Sequence, residues 1–346
     1  MRRRVGWAFA GLLGALALAA AAARFGAPAF PAAVPSSARP QHLAEAAALR
    51  AKARVVLVTL DGARWQDVLD LEGTLAGPGE RPAMPRLLAA LRSDGVALLG
   101  EVSASAPRSL PGYQALAVGH PTTCQDNTCP RVAEETLAEE LVRRLPAQRG
   151  QVQVVGSWAR LSRAATSGDA GVELSLPDDG PPGAEGPPWP NARWDEETLA
   201  VALRRWKASP PRFLHLALLD MDEWAHQGRR AEVLSALRQA DEGVQVLLDA
   251  VRALPDDERA LTTVLVTADH GRGPWRLWDE HSVYRAGRDV FLVAVGASVH
   301  GGQERFTQAD VKPTVLRLFG LCPGPCTAEG CGQPLRSVVG ALPCAP

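Results

Sequence analysis

Residues 55–62 read VVLVTLDG, an apolar run of strand length that ends in an acid and a glycine. The run is continuous and rich in β-branched side chains, without the alternation of a strand that has one face in water. Strands of this kind are covered on both faces, as in a parallel sheet. The stretch therefore predicts a buried central strand with a polar turn at its carboxyl end.

Similar apolar runs recur along the chain, at residues 152–155, 213–219, 262–267 and 290–295. Segments with helical periodicity lie between them, at residues 84–91, 136–145, 197–206 and 231–254. This alternation predicts an α/β fold with three layers, α/β/α, around a mostly parallel central sheet. A stretch rich in Pro, Gly and acids at residues 177–190 predicts a surface loop within the domain.

The composition is that of an ordinary globular chain, with 346 residues, 46% hydrophobic side chains and a formal net charge of −1. This length suits one large α/β domain or two small ones. Surfaces that bind nucleic acids depend on clustered Lys and Arg, and the sequence has no long basic run. We therefore expect no nucleic-acid-binding surface. The sequence does not indicate an oligomeric state.

The first 23 residues have the order of an export signal. Three arginines, at positions 2 to 4, precede an apolar run over residues 5–23. This order is typical of a signal peptide, and a single retained N-terminal membrane anchor is the alternative. The run is rich in Ala and Gly, which makes it a weak membrane span, and both readings stay open. In either case we expect an exported protein that is periplasmic, extracellular or anchored to the outer face of a membrane.

The rest of the chain divides into three parts. Residues 24–53 are rich in Ala and Pro and predict a linker with one helix over residues 42–52. The main folded domain is expected over residues 54–321, and residues 322–346 form a cysteine-rich tail that should pack on it.

The chain has six cysteines, in two loop-like regions. In an exported chain their even number favours disulfides. A structural zinc site at the C-terminus is the alternative, but the spacings are irregular and no His pair lies nearby. The sequence does not fix the pairing of the last four, Cys322, Cys326, Cys331 and Cys344.

Side chains that can bind metal ions follow three of the predicted strands, and one more lies in a Trp-rich loop. The set consists of Asp61, Asp222, His226, Asp269, His270 and His281. Taken alone, Asp61 fits an ordinary turn and Asp222 a helix N-terminus. Ligands of open α/β sheets bind beyond the carboxyl ends of the strands, so these side chains should converge. Three carboxylates and three imidazoles are enough for two divalent metal ions.

Ser109, in the segment APRSLPGYQALAVG, is the candidate nucleophile. Pro111 suits the first turn of a helix, which would place the serine hydroxyl beside free backbone N–H groups at a positive helix end. A phosphate would bind at such an end. Ser109 taken alone also fits a helix N-cap, and only the neighbouring metal-binding residues favour the nucleophile.

Five motifs together resemble the alkaline phosphatase superfamily, and within it the nucleotide pyrophosphatase/phosphodiesterase-type and sulfatase-like branch. They are TLDG at residues 59–62, SLPGY at 109–113, DEWAH at 222–226, TADHG at 267–271, and His281. The motifs occur in the order typical of the family and span residues 54–320, and residues 310–321 are similar to its closing helix. The resemblance implies an alkaline phosphatase-like fold and a catalytic role for the domain.

The resemblance also implies residue roles. Asp61, Asp269, His270 and the oxygen of Ser109 would bind one metal ion, and Asp222, His226 and His281 the other. Zinc is the expected ion at both positions, and manganese is compatible with the same ligand types. Asn127 is implied as a donor to a phosphate oxygen, although its spacing from Ser109 departs from the diesterase pattern. We expect a disulfide between Cys124 and Cys129 to hold its loop.

The implied activity is hydrolysis of small-molecule phosphate monoesters or diesters through a phosphoserine at Ser109. A sulfatase is one alternative, but it would need Arg where residues 109–113 have Tyr113. A phosphotransferase is another, although those relatives have several membrane spans. A catalytically silent exported binding protein is the third, and it is disfavoured because clustered carboxylates are costly to bury without cations.

Overall fold

The computed structural model describes residues 39–145, 150–168, 171–182, 186–297 and 299–345. The predicted signal peptide or anchor, and most of the predicted linker, lie outside these residues. A compact unit runs from His42 to Pro346. Within the described residues, no helix is both long and apolar enough to cross a membrane.

A mixed sheet forms the centre of the described fold. Its strands are β1 Arg54–Leu60, β2 Gly95–Glu101, β3 Val152–Gly156, β4 Glu173–Ser175, β5 Phe213–Leu218, β6 Thr262–Thr267, β7 Asp289–Val295 and β8 Phe306–Thr307. Their order across the sheet is β4-β3-β5-β1-β6-β7-β2-β8. Strand β7 is antiparallel to β6 and β2, and the other neighbouring pairs are parallel. The predicted three-layer α/β/α fold with a mostly parallel sheet is confirmed.

Helices flank this sheet. They are α1 Arg39–Lys52, α2 Trp65–Leu69, α3 Pro85–Asp94, α4 Ser109–Val118, α5 Leu137–Arg144, α6 Ser162–Ala165, α7 Asp195–Ala208, α8 Asp220–His226, α9 Arg230–Arg252, α10 Asp256–Arg259, α11 Val311–Leu318 and α12 Arg336–Val339. The four helices predicted from periodicity correspond to α3, α5, α7 and α9, with ends displaced by a few residues. At the start of α5, Thr136 and Glu139 form a capping box, which stabilises that helix end.

The VVLVTL run forms the central strand β1, as predicted. Val56 pairs with Leu214 of β5 on one side and with Val264 of β6 on the other. All three side chains are buried, and each buried aliphatic side chain contributes about 1.5–3 kcal/mol to stability. The continuous apolar pattern therefore reflects a strand with no face in water.

Strand β2 and helix α1 are two of the elements in which the structure differs from the sequence predictions. Strand β2 was not predicted, because its side chains alternate between buried and exposed and Gly interrupts the apolar pattern. Helix α1 contributes the buried side chains of Ala46 and Leu49, so the compact unit begins before residue 54. The backbone of α1 passes so close to Gly320 that a Cβ there would collide with the carbonyl oxygen of Ala46.

All six cysteines lie in disulfides. The pairs are Cys124–Cys129, Cys322–Cys344 and Cys326–Cys331. The predicted Cys124–Cys129 bridge is confirmed, and the alternative of a C-terminal zinc site is wrong because its four thiols are paired. The tail also contacts the domain through backbone hydrogen bonds, since the N–H of Ala345 donates to Gly320 O at 2.9 Å.

Candidate active site

The three strands followed by predicted metal ligands are neighbours in the sheet, in the order β5-β1-β6, and they are parallel. Asp61 follows β1 directly, and Asp269 lies just beyond the end of β6. Helix α8, which carries Asp222 and His226, begins two residues after β5. Because the carboxyl ends of parallel strands meet at one edge, this topology brings distant segments of the chain together.

Asp61, Asp269 and His270 form the most deeply buried part of the cluster. His270 Nε2 lies 3.5 Å from Asp61 Oδ1 and 3.6 Å from Asp269 Oδ2. Asp269 Oδ1 accepts a hydrogen bond from the N–H of Gly62 at 2.9 Å. The other oxygens, Asp61 Oδ2 and Asp269 Oδ2, are buried and have no hydrogen-bond partner. Buried carboxylate oxygens without partners fit a divalent cation, which would supply the missing contacts.

The electrostatics of these groups also fit a cation. Burial, with the nearby carboxylates of Asp269 and Asp222, raises the pKa of Asp61 well above its ordinary value. Burial likewise raises the pKa of Asp269 to about 7. It lowers the pKa of His270 to about 4 and leaves that ring neutral at neutral pH. Neutral imidazoles and carboxylates that need a counter-charge are the ligands of divalent transition metals.

Asp222, His226 and His281 form the second group. Their potential ligand atoms all lie within 4.8 Å of one another. His226 Nε2 lies 3.2 Å from Asp222 Oδ2, and the ring centroid of His226 lies 5.1 Å from that of His281. The side chain of His226 is 38% exposed, which makes it the most solvent-exposed candidate ligand in this group. The composition of the group is the one expected from the sequence.

The two buried imidazoles are oriented by hydrogen bonds to backbone carbonyls. His281 Nδ1 donates to Pro107 O at 2.5 Å, and His270 Nδ1 donates to Gly271 O at 2.9 Å. The rings stack with centroids 4.0 Å apart. A donor hydrogen on Nδ1 leaves the lone pair on Nε2, which is the arrangement of a metal-binding histidine.

Asp222 lies between the two groups, which the sequence could not indicate. Besides His226 and His281, it lies within 4.8 Å of ligand atoms of Asp61 and His270. Burial alone would raise its pKa, but Arg272 and His226 hold the pKa well below its ordinary value.

Arg272 is a buried cation in this cluster, and it is not among the site residues predicted from the sequence. Its side chain is 1% exposed, and Nη2 donates to both Asp222 Oδ1 and Asp222 O. Nη1 donates to Trp278 O at 3.3 Å. The available signal was its position, since Arg272 follows the DHG turn at residues 269–271 directly.

Ser109 lies beside the first group. Its Oγ is 3.3 Å from Asp61 Oδ1 and 3.4 Å from His270 Nε2, and the residue is buried. Ser109 is the first residue of α4, and Arg108 occupies the N-cap position. The hydroxyl therefore points to the metal-binding groups instead of capping the helix.

Asn127 lies against the start of the same helix. Its Oδ1 accepts a hydrogen bond from the N–H of Leu110 at 2.9 Å. The Cys124–Cys129 disulfide closes the loop around it, and Arg160 Nη1 donates to its backbone oxygen at 3.3 Å. The structure thus brings Asn127 next to Ser109, and Nδ2 remains as the side-chain atom that can donate to a ligand.

Gly112 determines how closely α4 approaches the metal-binding groups. A Cβ at this position would collide with the backbone oxygen of Asp269. Although Gly to Ala usually stabilises a helix, we expect Gly112→Ala to lower the free energy of unfolding by about 1–3 kcal/mol. Urea unfolding checks this, with Gly168→Ala as the control, because a Cβ at Gly168 meets no atom within 4 Å. A stabilised Gly112→Ala variant would show that the helix does not contact Asp269 this closely.

One family model matches part of this chain. The metalloenzyme superfamily model matches residues 179–323, which include Asp222, His226, Asp269, His270 and His281. No curated protein matches the chain significantly.

Three solved structures share the fold. A predicted sulfatase from Bacteroides thetaiotaomicron is 16% identical, with a TM-score of 0.61 over 84% of this chain and 75% of its own. An alkaline phosphatase superfamily protein from Vibrio parahaemolyticus is 15% identical, with a TM-score of 0.51 over 82% and 75%. Phosphonate monoester hydrolase of Agrobacterium radiobacter is 16% identical, with a TM-score of 0.51 over 79% and 74%. The chain therefore has the α/β fold of these structures, and with the metalloenzyme superfamily model they support the resemblance to the alkaline phosphatase superfamily.

Proposed function

We propose that this chain is a metal-dependent hydrolase of small-molecule phosphate esters in which Ser109 is the nucleophile. The observation that supports this most strongly is the position of Ser109 Oγ, 3.3 Å from Asp61 Oδ1 and 3.4 Å from His270 Nε2. Asp61, Asp269 and His270 would hold one divalent ion there, and Asp222, His226 and His281 a second. Zinc suits these ligands, and manganese is compatible with them.

The reaction proceeds in two displacements. Ser109 Oγ loses its proton to solvent and attacks phosphorus, a new Oγ–P bond forms, and the ester P–O bond breaks with its electron pair going to the leaving oxygen, which takes a proton from solvent. Water then attacks phosphorus, a new O–P bond forms as the Oγ–P bond breaks, and one proton of the water returns to Ser109 as phosphate leaves. Bound divalent ions would lower the pKa of the hydroxyl and balance charge on the entering and leaving oxygens.

The residues of the chain prepare Ser109 for this attack. Its position at the first residue of α4 places the partial positive charge of that helix end beside the incoming phosphate. The hydrogen bonds of His270 and His281 to backbone carbonyls hold both rings in one orientation. Little reorganisation is then required when substrate binds.

Asn127 is proposed to donate from Nδ2 to a phosphate oxygen. We expect Asn127→Ala to lower kcat/KM about 100-fold, the usual loss for one donor to a developing negative charge. Gln125→Ala is the matched control, since Gln125 lies in the same disulfide-closed loop and is exposed. Steady-state kinetics with equal metal content in all proteins measures the effect. Equal losses in both variants would assign the effect to the loop and exclude a specific role of Asn127.

A sulfatase is the second candidate, because a structure described as a predicted sulfatase aligns with 84% of this chain. Against it, Tyr113 stands where the sulfatase motif has Arg, and Tyr113 is buried in the core. The three imidazoles also fit two transition-metal ions better than the single calcium ion of a sulfatase, since imidazoles are poor calcium ligands.

One substrate panel separates these candidates. It contains nitrophenyl phosphate, bis-nitrophenyl phosphate, a nitrophenyl phosphonate and nitrophenyl sulfate, each with and without a chelator. We expect chelator-sensitive release of nitrophenol from one or more of the phosphorus esters and much slower release from the sulfate. A preference for the sulfate would show that the protein is a sulfatase and not a phosphohydrolase. No turnover of any ester by a metal-loaded protein would favour the silent binding protein.

We also propose that the protein works outside the cytoplasm. The three disulfides support an oxidising compartment. The charged-then-apolar order of residues 1–23 supports export through a signal peptide or an anchor. Sequencing the N-terminus of the mature protein from membrane and soluble fractions would distinguish these two.

A further inference from the structure

The two proposed metal positions differ in one feature, which is that a buried guanidinium is hydrogen-bonded to a proposed ligand of only one of them. Arg272 Nη2 donates to Asp222 Oδ1 and to Asp222 O at 3.0 Å. Among the described residues, Arg272 donates no hydrogen bond to Asp61 or Asp269, whose Oδ2 atoms lack partners. Arg272 therefore binds a carboxylate of one position directly and acts on Asp61 and His270 of the other only through space.

The net charge of the cluster also indicates that the first and the second metal ion bind differently. With Asp61, Asp222 and Asp269 ionised and Arg272 protonated, one divalent cation is enough to neutralise the four side chains. A second divalent cation leaves an excess of positive charge. Because the side chain of Arg272 is buried, water and salt screen its repulsion of a nearby cation only weakly.

The contacts of Asp222 show how the two charges would compete. Arg272 binds Oδ1, which also lies 4.0 Å from His270 Nε2, while Oδ2 lies 3.2 Å from His226 Nε2. A metal ion at this position would thus share one carboxylate with a guanidinium. At the other position it would find two carboxylate oxygens without partners.

We propose that Arg272 acts as a built-in cation that weakens metal binding at the position of Asp222, His226 and His281. The position of Asp61, Asp269 and His270 binds its ion tightly, and the second ion binds with lower affinity. Arg272 is a positioning residue in this scheme, because it acts through Asp222. This inference rests on the proposed function because it requires the cluster to bind divalent ions. It does not require the protein to hydrolyse an ester.

Equilibrium titration of the metal-free protein with zinc, in chelator-buffered solution and without substrate, tests this inference. We expect two binding steps whose dissociation constants differ by about tenfold or more. Arg272→Met should tighten the weaker step by about tenfold and change the stronger step less. His226→Ala removes a ligand of the second position only, so it should abolish the weaker step and assign it.

Two further variants separate charge from packing. Arg272→Gln keeps hydrogen-bond donors but has no charge, and it should tighten the weaker step as Arg272→Met does. It therefore serves as the neutral variant if Arg272→Met does not fold. Arg272→Lys keeps the charge and should preserve two unequal steps. Equal affinities in the wild type, or weakening of both steps by the neutral variants, would overturn the proposal. The titration is independent of turnover, so unequal steps in a protein that hydrolyses no ester would reject the proposed function alone.

Discussion

Replacing Ser109 by Ala is expected to lower turnover of the best phosphate ester by about a thousandfold or more, with metal content nearly unchanged. The hydroxyl is the proposed attacking group, whereas three other side chains, Asp61, Asp269 and His270, remain to hold the ion. Removal of one small buried hydroxyl should also leave the fold intact. Single-turnover kinetics and elemental analysis of the same protein sample check both parts of this expectation.

Ser93→Ala is the matched control for this variant. Ser93 lies in α3, and its hydroxyl donates only to the exposed Asp94 carboxylate. We expect wild-type turnover from it. A Ser109→Ala protein with the wild-type rate would exclude a serine nucleophile, and a loss of metal together with activity would mean that the hydroxyl is mainly a ligand.

Removal of the metal ions is expected to abolish turnover and to lower the melting temperature by roughly 5–15 °C. The physical reason is the burial of Asp61, Asp222 and Asp269, whose mutual repulsion the ions would offset. Circular dichroism melting with and without a chelator, followed by addition of zinc, measures the shift and its reversal. Zinc should restore both the melting temperature and the turnover.

Two variants show whether this shift comes from the cluster. Asp269→Asn removes one buried carboxylate, so chelation should lower its melting temperature much less than that of the wild type. Asp256→Asn removes an exposed acid in α10 and should behave like the wild type. Equal melting temperatures of the metal-free and metal-loaded wild type would argue against ions among these carboxylates.

The parts of the fold that were predictable are those fixed by local pattern. Strand β1 and its neighbours β5 and β6 have continuous apolar sequences because both faces are buried, and their polar ends are visible as DG, DMDEWAH and ADHG. Strand β2 has neither property. It pairs antiparallel with β7, and only that tertiary pairing makes it part of the sheet.

For the candidate site, the sequence indicates which side chains can bind metal, but it indicates neither Arg272 nor how these side chains are arranged. Which side chains can bind metal follows from their chemistry and from their places after the strands. The position of Asp222 between both groups depends on distances across the sheet edge, as does its contact with Arg272. The pairing of Cys322 with Cys344 likewise depends on where the tail returns to the domain, which spacing along the chain does not define.

Anomalous diffraction at the zinc absorption edge, from crystals of the protein loaded with zinc, tests the metal centre most directly. We expect a strong peak about 2.0–2.2 Å from atoms of Asp61, Asp269 and His270 and next to Ser109 Oγ. A second and weaker peak should lie among Asp222, His226 and His281. Zinc peaks elsewhere on the protein, with none between Asp61, Asp269 and His270, would contradict the proposed centre.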